Sequence, residues 1–156
     1  MRRWIIGLVS HAAALAIGFA LGVYFLPVLT APAAPAPAAL AAAAADARFT
    51  GTFNRDLPGS DFLHWGEGTV SLLARRIVHD GRLAPGPDYK LYLVDTFVNG
   101  EFTFLQVKDR ARPIGDVKSF DGFVLDVPAG VDIAAFTTVV VWCEAFSEFI
   151  TAAQYR

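Results

Sequence analysis

The alternation of apolar and polar positions divides the chain into three parts. Residues 4–29 contain no charged residue and directly follow Arg2 and Arg3. Residues 30–47 are almost entirely alanine and proline. From Phe49 onward, short runs of β-branched and aromatic residues alternate with glycine, proline, asparagine and aspartate, mostly with a period of two. The pattern therefore predicts a transmembrane helix within residues 1–29, an Ala/Pro-rich linker at 30–47 and one globular domain at 48–156.

The first apolar segment is long enough to anchor the chain in a membrane. A helix over Trp4–Leu26 would measure roughly 34 Å at about 1.5 Å per residue, against a hydrocarbon core of about 30 Å. A cleaved signal peptide has a shorter apolar region of about 7–15 residues. We therefore interpret the segment as an uncleaved signal anchor and keep a cleaved signal peptide as the alternative.

The charges that flank this segment predict its orientation. No positive charge follows it until Arg48, so the positive-inside rule leaves the N-terminus in the cytoplasm. Ten arginines against three lysines, together with the alanine-rich linker, suit a GC-rich bacterium. We expect a single-pass protein of a bacterial inner membrane that contacts the lipid bilayer through residues 4–29 and has its C-terminal domain in the periplasm.

Small residues recur every four positions along the same segment, at Ser10, Ala14, Gly18 and Gly22. Such a stripe lets two membrane helices approach closely and gain van der Waals contact. A homodimer through these four residues is therefore one expectation, although small residues are also common in membrane helices that do not pair.

The domain is predicted to be all-β, an antiparallel β-sandwich of jelly-roll-like form. Asn99-Gly100 gives the strongest hairpin signal, because a two-residue primed turn needs positive φ at both positions. Glu144–Ile150 could form one helical turn before the last strand. Short strands at close spacing, with almost no other helical stretch, are typical of a sandwich or barrel. The predicted strands lie near Phe49–Phe53, Gly68–Leu73, Arg75–Val78, Tyr89–Asp95, Glu101–Val107, Phe123–Val127, Thr137–Cys143 and Phe149–Tyr155.

Charge and motifs exclude several classes of function. From Ala47 onward there are 11 basic and 14 acidic residues and no basic run, so nucleic acid is not an expected partner. The chain contains no Walker loop, no G-x-S-x-G, no H-E-x-x-H and no C-x-x-C or C-x-x-C-H motif. A stand-alone enzyme is therefore not the first expectation.

Cys143, the only cysteine, is the most informative single residue. Outside the cytoplasm, an odd cysteine suggests a reactive thiol, an intermolecular bridge or a ligand. It also ends the apolar run Thr137–Cys143, where Val139, Val141 and Cys143 share one face of the strand. Apolar surroundings and the adjacent Glu144 would both raise the pKa of the thiol. Local physics therefore favours an inert core cysteine unless a spatial neighbour reverses this.

His64 is the neighbour that the sequence suggests for Cys143. An imidazole could lower the pKa of the thiol, or join it as a ligand of iron or copper. The alternative is that His64 binds a loop backbone, and His79, beside Asp80-Gly81, is interpreted as a turn residue. Two ligands far apart in sequence make a weak metal signal, so the identity of any metal stays open.

The region from about Phe49 to the C-terminus resembles the DM13 domain, a small extracytoplasmic domain. The order of the motifs carries the resemblance. They are His64-x-Gly66, Gly68-Thr69-Val70, Gly86-Pro87-Asp88-Tyr89-x-Leu91-Tyr92-Leu93, the Gly122…Pro128 segment and Val141-Trp142-Cys143-x-x-Phe146-x-x-Phe149.

The resemblance implies an electron-transfer role. It makes Cys143 the proposed redox residue, acting as a free thiol or through a prosthetic group such as haem, with His64 as the matching motif histidine. The partner would then be an unidentified envelope protein or electron-transfer protein. The alternative hypothesis is a non-catalytic envelope module that binds a protein or glycan and keeps Cys143 in its core.

Overall fold

The computed structural model describes all residues from Met1 to Arg156. The chain begins with one long helix, α1 (Arg2–Thr30), which has no buried residue. By length and composition α1 is the one helix that could cross a membrane, and a signal sequence near an N-terminus would satisfy the same criteria. The stripe of Ser10, Ala14, Gly18 and Gly22 lies within α1, and a homodimer through it stays a prediction.

Eight antiparallel strands form two sheets of four. The first sheet has the order β1-β2-β3-β6 and the second has the order β5-β4-β7-β8. The bounds of the strands are β1 Phe49–Phe53, β2 Gly66–Leu73, β3 Arg76–Leu83, β4 Tyr89–Val94, β5 Arg112–Val117, β6 Phe123–Asp126, β7 Thr138–Cys143 and β8 Glu148–Gln154.

The two sheets pack face to face over one core, which confirms the predicted β-sandwich. A cluster of 18 buried side chains joins residues of the first sheet, such as Leu72 and Ile77, to residues of the second, such as Leu91 and Val141. A second cluster of nine covers the outer face of the second sheet. At about 25 cal/mol per Å² of apolar surface removed from water, this burial is the main driving force for folding.

Strand β7 is buried on both faces, as its sequence predicts. Its inward side chains Val139, Val141 and Cys143 belong to the main core cluster. The intervening side chains Val140 and Trp142 belong to the outer cluster. This double burial explains why the strand reads as a continuous apolar run rather than as an alternation.

The predicted hairpin at Asn99-Gly100 is wrong. Residues after Gly100 form a short helix, α3 (Glu101–Leu105), which is followed by a 3₁₀ turn at Lys108–Arg110. Gly100 has φ −179°, an extended conformation and not the positive φ of a primed turn. Phe104 is fully buried on the outer face of the second sheet, with its ring 4.9 Å from that of Trp142. Tertiary packing of Phe104 therefore overrides the local hairpin signal.

Strand β5 is not among the strands predicted from the sequence, because Pro113 and Gly115 lie within it. Both residue types normally punctuate strands, and proline in a sheet is largely confined to edges and bulges. Strand β5 is indeed an edge strand, and its pairing with β4 shifts register between Leu91 and Tyr92, opposite Gly115 and Pro113. The helical turn predicted within Glu144–Ile150 does not form: residues 144–147 make a non-helical turn, and β8 begins directly after it at Glu148.

The Ala/Pro segment is not a spacer along its whole length. Its second half forms a helix, α2 (Pro37–Ala44), and Leu40 of α2 is only 2% exposed. A Cβ on Gly122 would lie 2.8 Å from Cδ1 of Leu40, so the missing side chain at Gly122 leaves room for the leucine. Six residues, 31–36, therefore connect α1 to an element that is packed on the domain.

His79, interpreted from sequence as a turn residue, is instead completely buried in β3. Its ring lies between Phe53 and Phe123, with centroids 5.1 and 5.0 Å away. Nε2 donates a hydrogen bond to the carbonyl oxygen of Glu67 at 3.1 Å, and Nδ1 has no partner. Burial lowers the pKa of His79, so the ring is neutral in the folded protein.

This buried imidazole predicts a loss of stability in mild acid. The unfolded chain takes up a proton at His79 as the pH falls below about 6.5, whereas the folded chain does not. The group therefore contributes a slope of up to about 1.4 kcal/mol per pH unit below that value. Urea unfolding of the full chain in detergent, followed by tryptophan fluorescence between pH 7.5 and 5, should show this slope.

The matched control is His79→Gln, which is neutral at every pH. This variant should lose the part of the acid sensitivity that comes from His79 and keep the rest. Equal pH dependence in the two proteins would show that His79 does not titrate on unfolding.

Candidate functional site

Cys143 is the last residue of β7 and lies at one end of the sandwich. It pairs in register with Tyr89, the first residue of β4. The side chain is 2% exposed, and its Sγ donates a hydrogen bond to the carbonyl oxygen of Pro87 at 3.0 Å. Because a thiolate cannot donate, this geometry describes the neutral thiol.

The connection between β3 and β4 brings Pro87 to the sulfur. Two prolines flank Gly86 in this connection, and Asp88 adopts φ +51°, a left-handed conformation that aspartate tolerates better than most residues. The carbonyl oxygen of Asp88 accepts a hydrogen bond from the amide of Glu144 at 3.0 Å. The thiol and the Glu144 amide thus attach this connection to the end of β7.

Gly86 is required by the close approach of Tyr89. A Cβ at Gly86 would lie 2.3 Å from the hydroxyl oxygen of Tyr89. No real side chain fits at that distance, so any other residue must displace the ring or the connection. Gly86 therefore keeps Tyr89 and Pro87 next to the sulfur.

Burial raises the pKa of Cys143 above its usual range. The backbone N–H groups of Phe146 and Ala145 oppose this effect, and the nearby carboxylates of Asp88 and Glu148 add to it. The predicted direction of the shift agrees with the structure, but the carboxylates responsible are Asp88 and Glu148 rather than Glu144. A thiol with a raised pKa is a poor nucleophile at neutral pH.

Glu144 is directed away from the sulfur, toward the outer face of the second sheet. Its carboxylate accepts hydrogen bonds from the hydroxyl of Tyr92 and, at 2.7 Å, from Nζ of Lys108. Burial opposes ionisation, but the hydrogen bonds from Lys108 and Tyr92 outweigh it and lower the pKa of Glu144. The negative charge of the Glu144 carboxylate is therefore compensated by the adjacent ammonium group of Lys108.

His64 lies in the loop before β2 and is oriented by Asp61. Oδ1 of Asp61 accepts the backbone amides of Leu63 and His64 at 2.7 and 2.8 Å, and Oδ2 lies 3.0 Å from Nδ1 of the imidazole. Slight burial opposes ionisation of Asp61, but the hydrogen bonds from His64 and Leu63 lower its pKa. Nδ1 is thus the nitrogen that carries the hydrogen, and the lone pair of Nε2 is available to a hydrogen-bond donor or a metal ion.

Cys143 and His64 line one cleft of about 310 Å³, although no hydrogen bond joins them. One wall belongs to the domain and the other to the C-terminal half of α1. The domain contributes Leu63, His64, Pro85, Gly86, Pro87, Tyr89, Cys143 and Phe146, and α1 contributes Phe19, Ala20, Val23 and Tyr24. The cleft is small for a ligand site and predominantly apolar.

By the number of protein ligands alone, the donor atoms in this cleft fit a haem better than a bare metal ion, and the cleft of about 310 Å³ would have to open further to admit the macrocycle. No group of three or more histidine, cysteine, aspartate or glutamate residues is arranged to hold a metal. Zinc sites generally use three or four protein ligands, whereas a haem iron needs only one or two, commonly histidine or a cysteine thiolate. The Asp61–His64 pair is also the arrangement in which a carboxylate fixes the ring of a ligating histidine.

Tyr89 is a further member of the site and is not among the site residues predicted from the sequence. It is 3% exposed, lines the cleft and is the register partner of Cys143. Burial, and secondarily the proximity of Cys143, raises the pKa of its phenol, which therefore stays protonated. Its place directly after Gly86-Pro87-Asp88 in a motif is the signal that could have identified it.

Comparison with known proteins assigns the region that contains this site to a family. A family model described as "Electron transfer DM13" matches residues 56–155, which include Asp61, His64, Tyr89 and Cys143. No curated protein and no solved structure matches the chain. The matched region covers both sheets apart from β1 and spans well over half of the sequence. The chain therefore belongs to the DM13 family of electron-transfer domains.

Proposed function

We propose that this protein is a membrane-tethered electron carrier of the bacterial periplasm, with Cys143 as its redox centre and α1 as its anchor in the inner membrane. The observation that carries the proposal is the position of the Cys143 thiol, in an apolar cleft that also contains His64 and Tyr89, within an electron-transfer family. Apolar walls around such a centre exclude water and limit side reactions.

The surroundings of Cys143 argue against disulfide chemistry. The chain has no second cysteine with which to form an internal disulfide. Burial also raises the pKa of the thiol, which lowers the thiolate fraction available to attack a disulfide. A role as a ligand of a one-electron centre suits a buried thiol better than a role as an attacking nucleophile.

Cys143 and His64 are the residues that would hold a haem at this site. A bound haem iron supplies reversible one-electron oxidation and reduction. Asp61 keeps the imidazole in the tautomer that presents Nε2. To hold a haem, the Cys143 thiol would lose its proton to solvent and with it the hydrogen bond to the carbonyl oxygen of Pro87. The resulting thiolate, which apolar surroundings alone would destabilise, would be stabilised by the positive charge of a bound iron.

A second candidate function is a non-catalytic envelope module that binds a protein or glycan. The surroundings of Cys143 also fit this function. A cysteine that is 2% exposed and hydrogen bonded to a backbone carbonyl can be a stable core residue with no chemical role. The two functions differ in whether the cleft accepts a prosthetic group.

Hemin titration separates the two functions. The full chain in detergent should bind one hemin with a saturable Soret band, because one thiol and one imidazole line the cleft. Cys143→Ser and His64→Ala should each weaken binding at least about tenfold, which is about 1.4 kcal/mol, and should shift the band. His79→Gln, which changes a buried histidine outside the cleft, should bind as the unmodified chain does.

Two results would contradict the electron-carrier proposal in its haem form. One is the absence of a saturable band. The other is equal binding by the unmodified chain, Cys143→Ser and His64→Ala, which would indicate partition of hemin into micelles or a nonspecific apolar surface. Either result favours the envelope module with a core cysteine.

Thiol reactivity tests the geometry around the sulfur separately. Iodoacetamide should modify Cys143 of the folded chain far more slowly at pH 7 than in urea, and its rate–pH profile should be displaced above the usual thiol pKa of about 8.5. Gly86→Ala should accelerate the reaction several-fold, because the new Cβ displaces Tyr89 or the connection that covers the sulfur.

Gly115→Ala is the matched control for Gly86→Ala. A Cβ at Gly115 meets only Leu125, at 4.0 Å, so the rate of alkylation should not change. Fast modification of the unmodified chain at pH 7, or equal rates in the two variants, would contradict the described packing around Cys143.

A further inference from the structure

Three large apolar side chains are exposed around the end of the sandwich that contains the cleft. Phe62 is 91% exposed, Leu63 is 49% exposed and Phe146 is 51% exposed. Leu63 and Phe146 line the cleft itself, and Phe62 is adjacent to Leu63 in the loop before β2. We call these three residues the apolar rim. Exposed apolar clusters next to a polar surface usually mark a binding face for a protein or a membrane.

The apolar rim lies beside the outer end of the candidate membrane span. Helix α1 is about 43 Å long, and about 20 of its residues suffice to cross a hydrocarbon core of about 30 Å. Counted from Arg3, that length ends near Val23, and the α1 residues that face the cleft run from Phe19 to Tyr24. Because the apolar run of α1 continues to Leu29, the domain meets α1 in the outer part of the candidate span, close to the boundary between acyl chains and headgroups.

The connection between α1 and the domain is too short to hold the domain away from this level. Residues 31–36 can span at most about 20 Å at about 3.3 Å per residue. Helix α2 is fixed to the domain through buried Leu40, next to Gly122, the residue directly before β6. Asp116–Lys118 and Pro87–Tyr89 of the domain also border the residues from Leu26 to Pro32.

The charge of the domain favours an apolar contact with lipid over an electrostatic one. The 11 basic and 14 acidic residues from Ala47 onward leave a net negative charge, which does not attract anionic headgroups. Phenylalanine and leucine side chains, by contrast, are suited to burial at the boundary between headgroups and acyl chains, about 5–10 Å deep.

We propose that the apolar rim docks on the outer surface of the bilayer that α1 spans, so that the Cys143 cleft opens toward lipid. The inference rests on the membrane anchor of the proposed function and does not depend on electron transfer. It identifies an apolar, membrane-dissolved molecule as the chemical class with direct access to the cleft.

Two alanine sites allow matched reporters of this docking. Ala145 is exposed beside Phe146, and Ala74 is exposed in the turn between β2 and β3, at the opposite end of the strands. In a Cys143→Ser background, Ala145→Cys and Ala74→Cys would each carry a nitroxide label, with the full chain in phosphatidylcholine vesicles. Power-saturation EPR then compares collisions with oxygen, which concentrates in lipid, and with a water-soluble nickel chelate.

Docking predicts that the ratio of oxygen to nickel collisions is several-fold higher at Ala145→Cys than at Ala74→Cys. Adding Phe62→Ser and Phe146→Ser should lower the ratio at position 145 toward that at position 74. High ionic strength should leave the ratio unchanged, because the contact is apolar.

A third label at Leu15→Cys, in the middle of α1, distinguishes a failure of the docking from a failure of the membrane anchor. Suppose that the label at position 15 contacts lipid, while the labels at positions 145 and 74 show the same low ratio of oxygen to nickel collisions. This result would overturn the docking and leave the apolar rim as a surface for a protein. An aqueous label at position 15 would overturn the anchor as well, and with it the tether in the proposed function.

Discussion

The burial of β7 on both of its faces determines where the chemistry of this chain can lie. Consecutive side chains of a strand point to opposite faces, so Cys143 enters the main core while its neighbour Glu144 is directed to the outer side of the second sheet. Burial in the core raises the pKa of the Cys143 thiol, whereas the hydrogen bonds from Lys108 and Tyr92 lower the pKa of the Glu144 carboxyl group. Cys143 and Glu144 are adjacent in the chain, yet their side chains lie in two different electrostatic environments.

Two connections, rather than the strands, complete the surroundings of the sulfur. The one before β4 supplies the Pro87 carbonyl and contains Asp88 at φ +51°. The one after β7 supplies the amides of Ala145 and Phe146 and contains Ser147 at φ +55°. Left-handed conformations at residues other than glycine cost free energy and persist only where surrounding contacts enforce them. Both occurrences in this chain flank Cys143, which sets this end of the sandwich apart from the rest of the domain.

The parts of the fold that follow from local periodicity could be predicted from the sequence. The apolar run of β7, the inward position of Cys143 and the two-sheet class all follow from the alternation of side chains. Strand β5 could not be recognised, because the edge position that tolerates Pro113 and Gly115 is a property of the whole sheet. The hairpin predicted at Asn99-Gly100 was wrong for a similar reason, since burial of Phe104 on the second sheet favours helix α3 there.

The site shows a similar division between local and distant contacts. The sequence identifies Cys143 and His64, and the fold brings both to one cleft. The Asp61–His64 pair is only three residues apart and could have been predicted from a loop motif. The contact of Cys143 with Pro87 spans 56 residues, and no local pattern encodes it. The roles of Cys143 and His64 as redox centre and ligand stay predictions.

The six residues between α1 and α2 also bear on how this protein would meet a partner. With α1 in the bilayer, so short a connection confines the domain to a thin layer above one membrane surface. Encounter with another protein of that membrane then becomes a search in two dimensions, at a high effective concentration. A partner fixed to a distant envelope layer would lie beyond its reach, so any exchange with such a layer would need a diffusing intermediary.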